Sequence, residues 1–124
     1  MINFEELPND FEVRYRFYSE AEGGRKSQQF FQGYRCDWVY ADFEADEPRQ
    51  VWMIWPIFID DNGQFVPESA RVNLEGTAHM MIVNEDLRQT VHKDRIRPGV
   101  KGFFVEGPIK VAEAIVTRVG SLQK

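Results

Sequence analysis

The sequence predicts an all-β fold, a small closed antiparallel barrel of about six strands with at most one short helix. Three observations favour this fold class. Aromatic residues make up 14% of the chain, as ten Phe, four Tyr and three Trp, and rings are enriched in strands. Apolar and polar residues alternate in several segments, which is the period of a half-buried strand. Turn residues separate these segments, as they do in small barrels.

The clearest predicted strand covers residues 11–18. One face carries Phe11, Val13, Tyr15 and Phe17, and the other carries Glu12, Arg14 and Arg16. This alternation predicts one buried face and one face in water. A loop follows, in which Gly23 and Gly24 permit positive φ and a tight reversal of the chain. A second strand is predicted over residues 28–43, with a kink near Gly33.

A third strand is predicted over residues 50–60, QVWMIWPIFID. Pro56 cannot donate to a β-ladder, so we expect it at an edge or a bulge. The run Asp-Asp-Asn-Gly-Gln at 60–64 predicts a tight turn. The remaining strand candidates are residues 65–67, 71–76, 77–83, 101–106 and 110–119.

One helical segment is predicted, over residues 84–93. Asn84 can cap its start, and Glu85 and Asp86 suit the first turn of a helix. The connections outside strands and helix are an acidic loop at 44–49 and an Arg-Pro-Gly turn at 97–99. A chain of 124 residues predicts one domain, residues 1–124, in which residues 1–10 form an N-terminal arm.

Localisation is predicted from cysteine usage and from two absences. The single cysteine, Cys36, cannot form an internal disulfide and fits a reducing cytoplasm. The N-terminal residues lack the basic start and apolar run of a signal peptide. The longest apolar run, residues 51–59, is interrupted by Pro56 and is too short to cross a bilayer. We therefore expect a cytoplasmic protein with no membrane partner.

The charge distribution argues against general nucleic-acid binding. The net charge is −5, and residues 1–50 hold 11 acids against 6 bases, whereas nucleic-acid binding usually needs a basic excess. One basic stretch stands out within this acidic chain. Its members are Arg88, Lys93, Arg95, Arg97 and Lys101. It is interpreted either as a solvated helix and turn or as a contact for phosphates or an acidic protein surface.

Patterns typical of enzymes are weak. The run Gly-Gly-Arg-Lys-Ser at 23–27 lacks the first glycine and the spacer of a phosphate loop, so no nucleotide binding or GTPase activity is expected. His79 and His92 are far apart in the sequence and Cys36 is remote from both, so neither a metal site nor a nucleophile pair is predicted. We interpret His79 as a strand histidine and His92 as a surface one. No cofactor is expected, and an enzyme with an unrecognised site is the least favoured hypothesis.

Two segments resemble a known family. Residues 22–40 hold a Gly-Gly-Arg loop, a Phe-Phe pair, a Gly-Tyr-Arg run and an aromatic strand. Residues 102–119, GFFVEGPIKVAEAIVTRV, hold a strand, a Glu-Gly turn and a closing strand. In this order and at this separation they resemble the C-terminal, third domain of translation elongation factor Tu. The resemblance implies a six-stranded antiparallel Greek-key barrel.

The resemblance also implies a site. In the family, the Gly-Gly-Arg loop and the Glu-Gly turn help to hold the backbone of aminoacyl-tRNA. The corresponding positions here are Arg25, Lys26, Ser27, Glu106 and Gly107. Lys26 replaces a histidine of the family, and Asp37 replaces a glutamine and adds negative charge near the implied phosphate path. We therefore weigh two hypotheses: a binding module for a protein partner of the translation machinery, favoured by the acidic balance, and a tRNA-binding module.

Overall fold

The computed structural model describes residues 3–43 and 50–123. Its six strands are β1 (Phe11–Phe17), β2 (Asp37–Tyr40), β3 (Ile54–Ile59), β4 (Glu75–Ile82), β5 (Lys101–Glu106) and β6 (Ile109–Val119). They form one antiparallel sheet in the order β2-β5-β6-β1-β4-β3. The predicted all-β barrel-like fold is confirmed. The acidic loop predicted at 44–49 lies outside the described residues.

The two edge strands of the curled sheet meet at one residue pair. Trp38 in β2 and Trp52, just before β3, exchange both backbone hydrogen bonds, at 2.8 and 2.9 Å. This bridge places β3 beside β2 and gives the spatial order β5-β2-β3-β4, which is that of a Greek key. Apart from this bridge, the described residues of β2 and β3 form no ladder with each other, and we call the boundary between these two strands the seam.

The core is built around β1, which lies inside the sheet between β6 and β4. Phe11, Val13, Tyr15 and Phe17 are each at most 3% exposed, which confirms the predicted buried face. Tyr15 packs edge-on against Phe58 of β3, with ring centroids 5.1 Å apart. Such pairs add about 0.5–1.5 kcal/mol beyond the area that they bury, so rings from several strands hold the sheet in its curl.

Pro56 lies in an edge strand, as predicted. Phe58, two residues on, directs its N–H away from β4 to the side-chain oxygen of Gln32, 2.8 Å away. Since successive N–H groups alternate in direction, Pro56 faces the same open side and its missing N–H breaks no ladder bond. The buried Gln32 amide also donates to the carbonyls of Phe58 and Val66 at 2.9 Å. It therefore covers part of an edge that would otherwise be open.

The second strand is much shorter than predicted, because residues 28–36 do not form a strand. Gly33 adopts a φ of 101°, and the N–H of Tyr34 donates to the carbonyl of Phe31 at 3.0 Å, so a turn interrupts the extended chain. Two other strand predictions were also wrong. Residues 65–67 contribute an isolated bridge, and the candidate at 71–76 joins β4 only with its last two residues, so that it and the candidate at 77–83 do not form two strands.

The predicted tight turns are present. Asp60 Oδ1 accepts the N–H groups of Asn62 and Gln64 at 2.9 Å, and Gly63 supplies a φ of 79°. The turn between β5 and β6 uses Gly107, with a φ of 57°. Both turns place glycine where a side chain would strain the backbone.

Residues 85–95 form the longest helical segment among the described residues. It consists of an α-turn Glu85–Leu87, a π-helical turn Arg88–His92 and an α-turn Lys93–Arg95. Asn84 caps it as predicted, because its Oδ1 accepts the N–H groups of Asp86 and Leu87 at 3.0 and 3.2 Å. No helix in the described part of the chain is long and apolar enough to cross a membrane.

Candidate functional site

Arg25 ties the loop after β1 to the end of β5. Its Nη1 lies 3.0 Å from Glu106 Oε2. Its Nε donates to the carbonyl of Ser27 at 2.9 Å, and its Nη2 donates to the carbonyl of Gln29 at 2.6 Å. The guanidinium carbon also lies 4.0 Å from the centre of the Phe30 ring. Each guanidinium nitrogen of Arg25 thus has a partner inside the fold.

Tyr34 completes this arrangement. Its hydroxyl donates to the same Glu106 oxygen that receives Arg25, and its ring lies 5.5 Å from the Arg25 guanidinium. Burial, with the hydrogen bond to Glu106 as the second cause, raises the pKa of the Tyr34 hydroxyl above its ordinary value. The hydroxyl therefore stays protonated and acts as a donor. We call Arg25, Tyr34 and Glu106 the Arg25 clasp.

The two glycines before Arg25 serve different purposes. Gly23 ends the 3-10 turn Glu20–Glu22 with a φ of 96°, as the sequence predicted for this pair. Gly24 does not need positive φ. A Cβ on Gly24 would lie 2.4 Å from the carbonyl oxygen of Tyr18, so this position is glycine because two stretches of backbone approach closely.

The structure brings together the two segments that the resemblance linked to tRNA. Arg25 and Glu106 are in contact, so the loop and the last hairpin lie on one side of the barrel. Lys26, Ser27 and Gly107 are exposed nearby, and Lys26 forms no ion pair with any described residue. The charge of Arg25, however, is balanced by Glu106. The local surface is therefore much less cationic than the sequence suggests.

Arg88, a member of the predicted basic stretch, is the partner of a buried acid. Its Nη2 lies 2.5 Å from Oδ1 of Asp10, whose side chain is 0% exposed. Asp10 also accepts the N–H of Ile82 at 2.9 Å and the hydroxyl of Ser121 at 3.1 Å. The pair joins the start of β1 to the helix, β4 and the C-terminal turn. The only local sign of it in the sequence is an acid directly before an apolar strand.

The other members of the basic stretch are divided between the fold and the surface. The Arg95 guanidinium lies 3.6 Å from the centre of the Tyr40 ring, and its Nη2 lies 3.4 Å from Asp42. Arg97 and Lys101 are exposed and Lys93 is half-buried, and Arg97 Nη1 donates to the carbonyls of Lys93 and Ile96 at 2.9 Å. Arg88 and Arg95 therefore stabilise the barrel, and Arg97 is bonded to the end of the helix.

His92 is buried, so its prediction as a surface residue was wrong. It is 1% exposed, its Nδ1 lies 2.6 Å from the Tyr40 hydroxyl, and Trp52 packs edge-on at 4.9 Å. Desolvation, followed by the positive charge of Arg95, lowers the pKa of His92 to about 4. His92 is therefore neutral at pH 7. His79 lies half-buried in β4, as predicted.

An exposed surface borders the Arg25 clasp along the seam. We call Phe31, Arg35, Met53 and Trp55 the seam surface. Phe31 and Met53 are 44% and 52% exposed. The guanidinium carbon of the exposed Arg35 lies 4.3 Å from the centre of the Trp55 ring. Two hollows, of ≈ 660 and ≈ 200 Å³, meet at Arg35: the larger reaches Phe31, and the smaller reaches Met53 and Trp55.

Two observations on the described residues concern metal binding and nucleophilic chemistry. No group of three or more His, Cys, Asp or Glu within residues 3–43 and 50–123 is arranged to hold a metal ion. Burial raises the pKa of the Cys36 thiol above its ordinary value, and it is the thiolate, not the thiol, that acts as a nucleophile. The expectation that the chain is not an enzyme stays a prediction.

Comparison with known proteins adds no family. The sequence matches no protein-family model, and no curated protein matches it. The resemblance of residues 22–40 and 102–119 to elongation factor Tu is therefore used below only as part of a proposal.

Proposed function

We propose that this barrel is a non-enzymatic binding module, similar to the C-terminal domain of elongation factor Tu, that engages a protein partner of the translation machinery in the cytoplasm. The observation that carries the proposal is the state of Arg25. The cation expected to meet RNA phosphates is held by Glu106 and by two backbone carbonyls.

Electrostatics supports a protein partner over RNA. A phosphate approaching Arg25 meets the carboxylate of Glu106 on the same guanidinium. Displacing that carboxylate would leave it partly buried without its cation, which is costly. The net charge of −5 also opposes a polyanion at long range. The neighbouring seam surface offers a large ring and a thioether, which suit protein contacts.

A tRNA-binding module remains the second candidate, favoured by one specific observation. The Gly-Gly-Arg loop and the last hairpin are in direct contact through Arg25 and Glu106. The two segments would have to lie side by side in this way if both were to bind the same RNA backbone. Lys26 and Ser27 are exposed beside them. On this hypothesis, Lys26 supplies the phosphate contact that Arg25 cannot.

The proposal is tested by capture from the native cell. The full chain is immobilised, incubated with cell extract with and without ribonuclease, and both the proteins and the RNA that it retains are identified. We expect a retained protein that survives ribonuclease and is lost with the double variant Phe31→Ser, Met53→Ser. The matched control, Ile115→Ser, removes an exposed apolar side chain from β6 and should leave capture unchanged. Retention of tRNA, with no protein after ribonuclease, would favour the second candidate.

A further inference from the structure

We propose that the seam surface docks an acidic segment of its partner protein, in which carboxylate side chains stand beside apolar or aromatic ones. This inference rests on the proposed function and adds the chemistry of the partner and the residues that read it. It follows from two exposed guanidinium groups, from the rings beside them and from the size of the hollows.

Arg35 differs from most of the arginines that the structure describes. Six others each lie within 3.4 Å of a carboxylate: Arg14, Arg16, Arg25, Arg88, Arg95 and Arg118. Arg35 forms no ion pair with any residue that the structure describes and instead stacks on Trp55. The stack restrains the guanidinium while its N–H edge stays open. A planar guanidinium held in this way is suited to a carboxylate, which it can bind through two parallel hydrogen bonds.

A second guanidinium flanks Phe31. Phe31 and Arg71 form an isolated antiparallel bridge. On one side of it the N–H of residue 32 donates to the carbonyl of residue 70 at 2.8 Å, and on the other the N–H of residue 72 donates to the carbonyl of residue 30 at 2.9 Å. Directly opposed residues of an antiparallel pair place their side chains on the same face, with Cβ atoms about 4.5–5.5 Å apart. Arg71 is exposed and has no ion pair within the described ranges. Phe31 therefore lies close to an available cation.

The apolar part of the surface has room for side chains of a partner. The smaller hollow, ≈ 200 Å³ between Arg35, Met53 and Trp55, is below the size of about 300–1,000 Å³ that is typical of small-molecule sites. It fits one apolar side chain of a partner. The larger hollow lies open over Phe31. Tryptophan and arginine side chains at such positions are enriched among the residues that dominate binding energy.

The charged residues that line the hollows indicate where the acidic side chains of the partner would lie. Glu106 is neutralised by Arg25, and Asp37 lines the smaller hollow. A carboxylate of the partner is repelled by Asp37 and attracted by the exposed guanidinium groups, so the partner's acids lie over Arg35 and Arg71. The few acids of such a segment are repelled less by a chain of net charge −5 than the continuous phosphates of RNA.

The test is a titration of the isotopically labelled full chain, followed by nuclear magnetic resonance. Three short synthetic peptides share the same Phe and Leu positions and carry Asp, Ser or Lys between them, and a short single-stranded RNA is the fourth probe. We expect the Asp peptide to shift the amides of residues 31–35 and 53–55. We expect the Ser and Lys peptides to bind at least about tenfold more weakly, a loss of about 1.4 kcal/mol.

The variant Arg35→Glu should reduce binding of the Asp peptide by about tenfold or more. Lys101→Glu is the matched control, since it makes the same change of charge at the opposite, exposed end of β5. Arg35→Lys keeps the charge but loses the planar stack, and should fall between the two. Because Arg35 and Lys101 are exposed, all three variants should have the melting temperature of the wild-type protein, which circular dichroism measures.

The inference is overturned if the Asp peptide does not bind, if the three peptides bind equally, or if the RNA probe binds more tightly than the Asp peptide. It is also overturned if the shifted amides lie away from the seam surface, or if Arg35→Glu and Lys101→Glu have equal effects. The proposed function fails separately. If Arg35→Glu captures the same cellular protein as wild type, the partner binds elsewhere and only this inference falls. If no ribonuclease-resistant protein is captured at all, the proposed function itself falls.

Discussion

Substitution of Arg25 by alanine should destabilise the protein far more than an ordinary change at its surface. The variant loses the ion pair with Glu106, two hydrogen bonds to loop carbonyls and the stack on Phe30. It leaves Glu106 with the Tyr34 hydroxyl as its remaining side-chain donor among the described residues. The loop after β1 would then be held to β5 mainly by its apolar contacts.

The magnitude follows from these contacts. A hydrogen bond to a charged group contributes about 1.5–3 kcal/mol, and an exposed cation–π contact contributes about 0.5–1 kcal/mol. Arg25 and Glu106 retain 25% and 31% of their side-chain exposure, so water screens part of the attraction and the lower half of the range, about 1.5–2.2 kcal/mol, applies to this ion pair. The two hydrogen bonds to loop carbonyls are exposed, so water replaces them at little net cost, and the ion pair and the stack account for the loss. We expect the free energy of unfolding to fall by about 2–3 kcal/mol.

The assay is urea unfolding followed by tryptophan fluorescence and circular dichroism. Lys26→Ala is the control, because it removes the neighbouring, exposed cation, and we expect a change within about 0.5 kcal/mol. A double-mutant cycle with Glu106→Gln should show coupling of about 0.5–3 kcal/mol. Equal stability of Arg25→Ala and Lys26→Ala would refute the conclusion that Arg25 serves the fold.

Three further predictions concern the loop, the buried ion pair and the buried histidine. Gly24→Val should lower stability by about 1–3 kcal/mol, because its Cβ meets the Tyr18 carbonyl, and an unchanged melting temperature would contradict this. Arg88→Met should lower the free energy of unfolding by about 3–5 kcal/mol, because it leaves Asp10 buried without its cation. In urea unfolding, the double variant Arg88→Met, Asp10→Asn should recover part of that loss. No recovery would show that the lost packing, and not the buried charge, causes the destabilisation. The pKa of His92 is about 4 in the folded protein and about 6.5 in the unfolded chain, so the folded protein binds this proton less readily. The stability that the neutral His92 contributes is therefore complete above pH 6.5 and is lost as the pH falls towards 4. Unfolding at pH 7 and pH 4.5 should show an acid loss of up to about 3 kcal/mol that is absent in His92→Phe; the same loss in both proteins would exclude His92 as its source.

The parts of the fold that the sequence predicted correctly are those with local causes. Alternation marks β1, a glycine turn marks the β5–β6 hairpin, and Asn84 marks the start of the helix. The second strand was overestimated because Phe30 and Phe31 resemble a strand locally. Only the fold shows that Gly33 turns the chain and that Gln32 reaches across to β3.

The state of the candidate site depends on partners distant in the sequence. Arg25 and Glu106 are 81 residues apart, and no local pattern indicates that one neutralises the other. The same is true of Arg88 with Asp10 and of His92 with Tyr40, which are 52 residues apart. A charge that looks available in the sequence can therefore be used within the fold, as at Arg25 and Arg88, while Arg35, which was not among the predicted site residues, stays exposed.

The most direct test of the central claim, that the Arg25 loop is closed by Glu106 and not offered to RNA, is a titration of labelled tRNA at low and moderate salt. We predict weak binding that the double variant Arg25→Glu, Lys26→Glu changes little. Tight binding that weakens by about 0.9 log units per log unit of salt for each phosphate neutralised, and that is lost in the double variant while circular dichroism shows that variant to be folded, would contradict the claim and establish the tRNA-binding module.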